Sequence, residues 1–208
     1  GLLAETGVIA GTAIKADSTV CFIGLKQGMF TAQAKDVCGE IIFNDLAVPE
    51  DVYSQIECKT RLISSIDYAL LPARKASSHK GNFGHVLIVG GNRGMPGAVI
   101  LAARAALRGG AGLVTIITVA QNLEAIAGAV PEAMVKTCDM DAGNNMDMQK
   151  VFTDSLVNAV THVAAGMGLA QDDWSLILLR FCLSLNKPML MDADALNLIA
   201  KYELAGSE

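Results

Sequence analysis

Residues 85–108 read HVLIVGGNRGMPGAVILAARAALR, and this stretch decides the fold. His85–Val89 is a short apolar, β-branched run that reads as a buried strand. Glycines follow at Gly90, Gly91, Gly94 and Gly97. Pro96 suits a first helical turn, and the Ala/Leu-rich run Ala98–Arg108 is a strong helix former. Gly109, Gly110 and Gly112 stop that helix. The β-branched run Leu113–Val119 then gives the next strand. Strand, glycine turn, helix and strand in succession make a βαβ unit, whose two strands run parallel.

Working outward, the alternation continues to the end of the chain. Met134–Thr137, His162–Ala165 and Pro188–Asp192 read as strands. Helices are predicted over Gln121–Gly128, residues 147–159, Asp173–Leu185 and Asp194–Tyr202. The expected fold is α/β, with a mostly parallel sheet covered by helices on both faces. Toward the amino terminus the pattern changes. Residues 59–80 are polar and basic and read as a connector. Residues 1–58 hold only two strand-like runs, Thr19–Ile23 and Glu40–Phe43. These are too few to bury both faces of a sheet, so this part reads as the tail of another domain. The chain begins at Gly1 in mid-pattern, which leads us to expect a longer polypeptide.

Composition narrows the function. Of 208 residues, 52% are hydrophobic and 18% charged, which excludes a disordered chain. The net charge of −5 leaves no basic surplus for a nucleic-acid backbone. The five cysteines are widely spaced with no C-x-x-C pair, as in a reduced cytoplasmic protein rather than a zinc or disulfide scaffold. The longest apolar stretches are broken by Arg104, Arg108 and Arg180, so no membrane span is expected. The helix at Ala98–Leu107 is apolar on nearly every side and so hints at a homo-oligomer.

The candidate chemistry lies in loops. Gly91, Gly94 and Gly97 let backbone approach a ligand where a helix begins, and a helix start suits an anion such as phosphate. The spacing is not the dinucleotide G-x-G-x-x-G, and no Walker lysine follows, so a plain tight turn reads equally well. A second glycine loop, Gly166-Met-Gly-Leu169, ends another strand. The carboxyl ends of parallel strands converge on one crevice, and two such loops there are more telling than one. In Asp192-Ala-Asp-Ala-Leu-Asn197, Asp192 lies at a strand end and suits the phosphate or Mg2+ side of a site. Asp194 reads as a helix cap. Lys80 is a candidate anion contact near the mouth, or a solvated connector lysine. His85 and His162 read as structural.

Taken together, His79-Lys80-Gly81, Gly84, Val89–Arg108, Gly110-Ala111-Gly112, Pro131-Glu132, Gly166–Leu169 and Asp192–Asn197 resemble the ADP-dependent NAD(P)H-hydrate dehydratases, a ribokinase-like family. Gly1–Gly7, Ala16-Asp17, Thr19-Val20, Phe22–Lys26 and Cys38-Gly39-Glu40 resemble the end of the NAD(P)H-hydrate epimerase domain, Rossmann-like in fold, which many bacteria fuse in front of the dehydratase. The resemblance implies residues 1–58 as the end of the epimerase domain, 59–80 as connector, and 81–208 as the amino-terminal part of the dehydratase domain. It implies ADP-dependent dehydration of the S epimer of NAD(P)HX to NAD(P)H, coupled in the longer protein to epimerisation of the R and S forms. The implied partners are NAD(P)HX and ADP; the implied cofactors are Mg2+ and, for the epimerase, K+ with ligands mostly before Gly1. Ala98 and Gly168 would touch the hydrate, with Gly91, Gly94, Gly97 and Gly166 shaping its cradle. Asp192, Asn197 and Lys80 would face the phosphate or metal. The family's Gly-x-Gly-Asp helix start, with its catalytic Asp, has no counterpart up to Glu208, so this chain alone is expected to lack turnover. Two departures stand out: Met167 replaces the family's Pro, and Ala170 its last Gly. The alternatives are a ribokinase-like kinase for a small alcohol, and a non-catalytic module that keeps the crevice without the chemistry.

Overall fold

The computed structural model describes residues 1–58, 60–63, 73–141, 143 and 145–204. The chain divides into two compact units between Pro72 and Ala73. In the first, β1 (Ser18–Phe22) pairs in parallel with β2 (Glu40–Asn44), Thr19 opposite Ile41. The four-residue helix α1 (Ala34–Val37) lies between them in sequence, and α2 (Glu50–Ser54) follows. Cys21, Ala34 and Cys38 are buried. Two strands cannot bury a sheet on both faces. Accordingly Val20, Phe22, Ile42 and Phe43 stay about half exposed.

The second unit is a five-stranded, wholly parallel sheet: β3 (His85–Val89), β4 (Leu113–Thr118), β5 (Met134–Thr137), β6 (His162–Ala165) and β7 (Met189–Met191), ordered β5-β4-β3-β6-β7. The helices are α3 (Pro96–Arg108), α4 (Leu123–Ala129), α5 (Met148–Val151), α6 (Asp154–Ala159), α7 (Asp173–Ser184) and α8 (Ala193–Tyr202). Successive strand residues point to opposite faces. Ile88, Val114 and Ile116 therefore pack on Val99 and Ala103 of α3 and Ile126 of α4. Leu87, Val89, Ile117, Val163 and Ala165 pack with Trp174, Leu178 and Cys182 of α7, Leu156 of α6 and Leu198 of α8. The chain winds outward from β3 in both directions, so the order reverses between β3 and β6. That switch point is where open α/β sheets bind ligands, beyond the strands' carboxyl ends.

Three expectations change. The helix expected over 147–159 is two, because Phe152 leaves the helical region and the Thr153 hydroxyl caps a new start at Leu156 N–H. Asp194 does not cap α8. Asp192 occupies the cap position, making no side-chain capping bond, and Asp194 sits in the first turn. Lys80 begins a 3-10 turn (Lys80–Phe83) before β3, so it lies at the amino-terminal edge, the end of the sheet opposite the glycine loops. Among the described residues no helix is long and apolar enough to cross a membrane.

Candidate functional site

The two glycine loops meet at the switch point. The Gly91 N–H donates to Met167 O (3.1 Å) and the Asn92 N–H to Gly168 O (2.7 Å), so the loop after β3 lies against the loop after β6. The contact requires residues without Cβ. A methyl on Gly90 would sit 2.3 Å from Met167 O, and one on Gly166 would sit 1.9 Å from Asp192 O.

The candidate glycines then sort by where they face. Gly91 and Gly166 are buried, and a Cβ on Gly91 would strike Val99 at 2.8 Å, so both glycines belong to the packing beneath the crevice. Gly94 and Gly97 have no atom within 4 Å of an added Cβ and open on the free side. Gly168 lies beside Ala98: a Cβ there would stand 3.2 Å from that of Ala98 and 3.0 Å from that of Met95. The resemblance names Ala98 and Gly168 for hydrate contact, and the fold brings them together. Ala98 itself belongs to the first turn of α3, whose N–H groups lack intrahelical partners and carry the positive end of the helix dipole.

The third segment reaches the same edge. The Asp192 N–H donates to Ala165 O (2.9 Å), which anchors the start of α8 at the end of β6. The Asp192 side chain is exposed and makes no hydrogen bond or ion pair among the described residues. Asp194 Oδ2 accepts from the Ala170 N–H (2.8 Å), and Ala170 holds a left-handed backbone with φ of 65°. The carboxylate expected to cap a helix thus steadies the second loop where the family has glycine. Asn197 is exposed in the second turn of α8.

Under the loops lies a buried polar cluster that the sequence reading did not single out. The Asn92 amide Nδ2 lies 3.1 Å from Leu169 O, 2.9 Å from Asp172 Oδ2 and 3.3 Å from Ser175 Oγ. Asn122 Nδ2 donates to Gly91 O (2.6 Å) and Asn92 O (3.0 Å), and the Thr118 hydroxyl donates to Gly91 O (2.6 Å). Burial pushes the Asp172 carboxyl up, but hydrogen bonds from the Ser175 hydroxyl, the Ser175 N–H and Asn92 outweigh it and hold the group below the usual carboxylate range. The only signal in the sequence is an asparagine set between glycines after an apolar strand.

Two hollows flank the loops. One, of about 310 Å3, is lined by Asn92, Arg93, Asp139, Asp141, Asp172 and Trp174. The other is an apolar trough of about 830 Å3 beside α3, over Val86, Ile88, Ala164 and Leu190, with Met167 and Asp192 on its wall. Leu190 is 61% exposed there, because the α3 face of the sheet is uncovered over β7.

A metal site does not assemble from these residues. Among the described residues no group of three His, Cys, Asp or Glu side chains is placed to hold an ion. Asp194 is committed to Ala170, which leaves Asp192 as a single unengaged carboxylate at the crevice.

The sequence profile of NAD(P)H-hydrate dehydratase matches residues 86–207. The bifunctional NAD(P)H-hydrate repair enzyme of Coxiella burnetii is 40% identical over 202 residues, covering 97% of this chain and 40% of that protein. That of Escherichia coli is 41% identical over 202 residues, covering 96% and 37%. The chain thus spans about two fifths of the length of these curated relatives. Among solved structures, a ribokinase-like superfamily protein from Enterococcus faecalis V583 superposes with a TM-score of 0.56 at 29% identity, over 64% of this chain and 45% of that one. A protein from Streptococcus mutans does so with a TM-score of 0.53 at 35% identity, over 62% and 45%. The sheet and its helices are therefore ribokinase-like.

Proposed function

This chain belongs to the NAD(P)H-hydrate dehydratase family, and from that premise we propose that its two glycine loops hold the hydrated nicotinamide ring of NAD(P)HX, S epimer, while the hydrate is dehydrated to NAD(P)H at the expense of ADP. The carrying observation is that the loops after β3 and β6 meet at the switch point of the sheet, where Gly168 packs beside Ala98 and the neighbouring Gly94 and Gly97 are unobstructed. Small residues make a flat wall that a ring can approach closely. The first turn of α3, with N–H groups that lack intrahelical partners, suits an anion such as phosphate.

The ring hydroxyl of the hydrate is a poor leaving group; transfer of the terminal phosphoryl group of ADP to it releases AMP and makes a phosphate ester, and departure of that phosphate with loss of a proton from the neighbouring ring carbon restores the dihydropyridine. This chain's part is to bind and orient the hydrate: the loops fix the ring, and Asp192 faces the phosphate side as a carboxylate without a competing partner. Among the described residues no cation cage is built, and Mg2+ would enter with the nucleotide. The Gly-x-Gly-Asp helix start that the family resemblance assigns to the nucleotide and the acid-base Asp is not found among residues 1–208.

Residues 1–58 we read as the end of an epimerase domain, 59–80 as its connector, and 81–208 as dehydratase, supported by the match to bifunctional relatives over nearly the whole chain. K+ would then serve the epimerase part. All five cysteines are free, which fits a reducing compartment such as the cytoplasm.

The test is equilibrium dialysis of NADPHX and NADHX against the chain, followed by addition of ADP and Mg2+ with absorbance read at 340 nm. Retention of the hydrate without steady turnover is the expected result. Failure to retain either hydrate, together with nucleotide-dependent phosphorylation of a small alcohol, would move the chain to the kinase reading.

A further inference from the structure

We propose that Asn92 is a positioning residue that sets the distance between the two glycine loops, with Asp172 as its anchor and Asn122 as its brace. Asn92 is 5% exposed, and it bonds to four separate parts of the fold. Its backbone N–H reaches the second loop at Gly168 O, and its amide reaches the far end of that loop at Leu169 O. The same amide reaches the start of α7 at Asp172 Oδ2 and Ser175 Oγ. Its own carbonyl receives Asn122 Nδ2 from the turn after β4. Its Oδ1 accepts from the Arg93 N–H at 2.6 Å, which shapes the first loop just before Gly94.

A carboxamide suits this place because it offers two N–H donors and an acceptor without charge. Asp172 is already satisfied at Oδ1 by the Ser175 N–H (3.0 Å) and hydroxyl (2.7 Å), so its Oδ2 is free to take the Asn92 donor. The bond to a charged acceptor is the strong member of the set. The two loops also share the Gly91 and Asn92 N–H bonds and the close packing of Gly168 on Met95 and Ala98, and the Asn92 side chain adds the tie that fixes both loops to α7, so a shift of Asn92 is carried to the gap between Gly94, Ala98 and Gly168.

The inference rests on the reading that these loops hold NADPHX, and Asn92→Asp tests it. The substitution preserves shape, removes both donors and sets a second carboxylate against Asp172 at 2.9 Å. Two carboxylates this close cannot both ionise easily, so one takes up a proton well above the normal range. Protonated, Asp can donate to Asp172 as the amide does. Ionised, it pushes the loops apart. The other charged groups lining the hollow against Asn92 are Arg93, Asp139, Asp141 and Asp173, and no histidine is among them.

NADPHX affinity is measured by dialysis from pH 5.5 to 8.5 for the unaltered chain, Asn92→Asp and Asn92→Ala, with amide exchange at Gly91 and Asn92 followed in the unliganded proteins. Asn92→Asp should bind at least tenfold more weakly at pH 8.5 and recover to within about threefold at pH 5.5, with exchange at both amides rising and falling in step. Asn92→Ala should be weak throughout. A loss of affinity in Asn92→Asp that does not change with pH, or exchange unaltered in both variants, would overturn the proposal. If the unaltered chain does not bind NADPHX, the functional reading fails, while the exchange measurement still decides the role of Asn92. Should Asn92→Asp fail to fold at high pH, Asn122→Ala removes the brace from outside the carboxylate pair. It should speed exchange at both amides and weaken binding at least fivefold without a pH step, and unchanged exchange and binding there would refute the proposal.

Discussion

Gly97→Ala separates a ligand wall from a packing position. Gly97 is the second residue of α3, with helical backbone, an exposed position and no atom within 4 Å of the Cβ it lacks. Alanine is better than glycine in a helix by about 0.5–1 kcal/mol, through the smaller entropy loss on folding. For a chain of this size that corresponds to a Tm increase of about 1–4 °C. The same methyl would stand in the open space beside Ala98 where the proposed function puts the hydrated ring. Extra methyl groups in a filled space cost about 1–3 kcal/mol, which weakens Kd for NADPHX about 5- to 150-fold. The assay pairs thermal unfolding by circular dichroism with equilibrium dialysis of NADPHX. A protein that is more stable and binds less well is the expected outcome. Unchanged binding at normal stability would mean that the start of α3 does not face the hydrate. A Tm several degrees lower would mean that the methyl meets packing, and the steric reasoning fails.

Ala170→Gly should raise stability by about 1 kcal/mol, since Ala170 holds φ of 65° where L residues are strained; a denaturant midpoint that does not move would place no strain there. Thiol titration of the native chain should label Cys58 alone, because the other four cysteines are buried and burial lifts the Cys182 thiol to about 12 and, with Asp139 and Asp147 adding to burial, the Cys138 thiol to about 11. More than one fast-reacting thiol would contradict this. Burial lowers the His85 pKa in the fold, and its Nδ1 has no hydrogen-bond partner among the described residues. The unfolded chain therefore takes up the extra proton first, and the stability that neutral His85 contributes at pH 7 and above is lost as pH falls below about 6.5. His85→Gln should flatten the fall in unfolding free energy between pH 7 and 5; equal slopes in the two proteins would argue against it.

The parallel sheet was legible because short apolar runs alternate with helix-forming segments, most plainly where glycines follow His85–Val89 and precede Leu113–Thr118. His85–Val89, Met134–Thr137 and His162–Ala165 appear with the limits the sequence suggests. Local chemistry that competes with a helix was harder to read. Thr153 offers a hydroxyl to Leu156 N–H, and that bond divides a segment whose composition favours one helix. Asp194 looks like a cap in sequence, yet the extended Asp192 takes that place and frees Asp194 to reach Ala170 across 24 residues. Lys80 precedes a parallel strand, so strand direction alone sets it at the amino-terminal edge, away from a crevice built at the carboxyl ends. For the cluster around Asn92 the local signal stops at an asparagine set between glycines, and nothing local points to its partners. Its partners Leu169, Asp172 and Ser175 lie 77 to 83 residues away and come together only through the pairing of β3 with β6.

The claim at the centre of this account is that the loops after β3 and β6 together form the seat of the hydrated nicotinamide. Amide hydrogen exchange of the chain with and without saturating NADPHX, read by mass spectrometry at peptide resolution, tests it most directly. Protection should appear in residues 90–98 and 166–170 together, with little change in the first unit. Protection confined to other segments, or to one loop without the other, would contradict it.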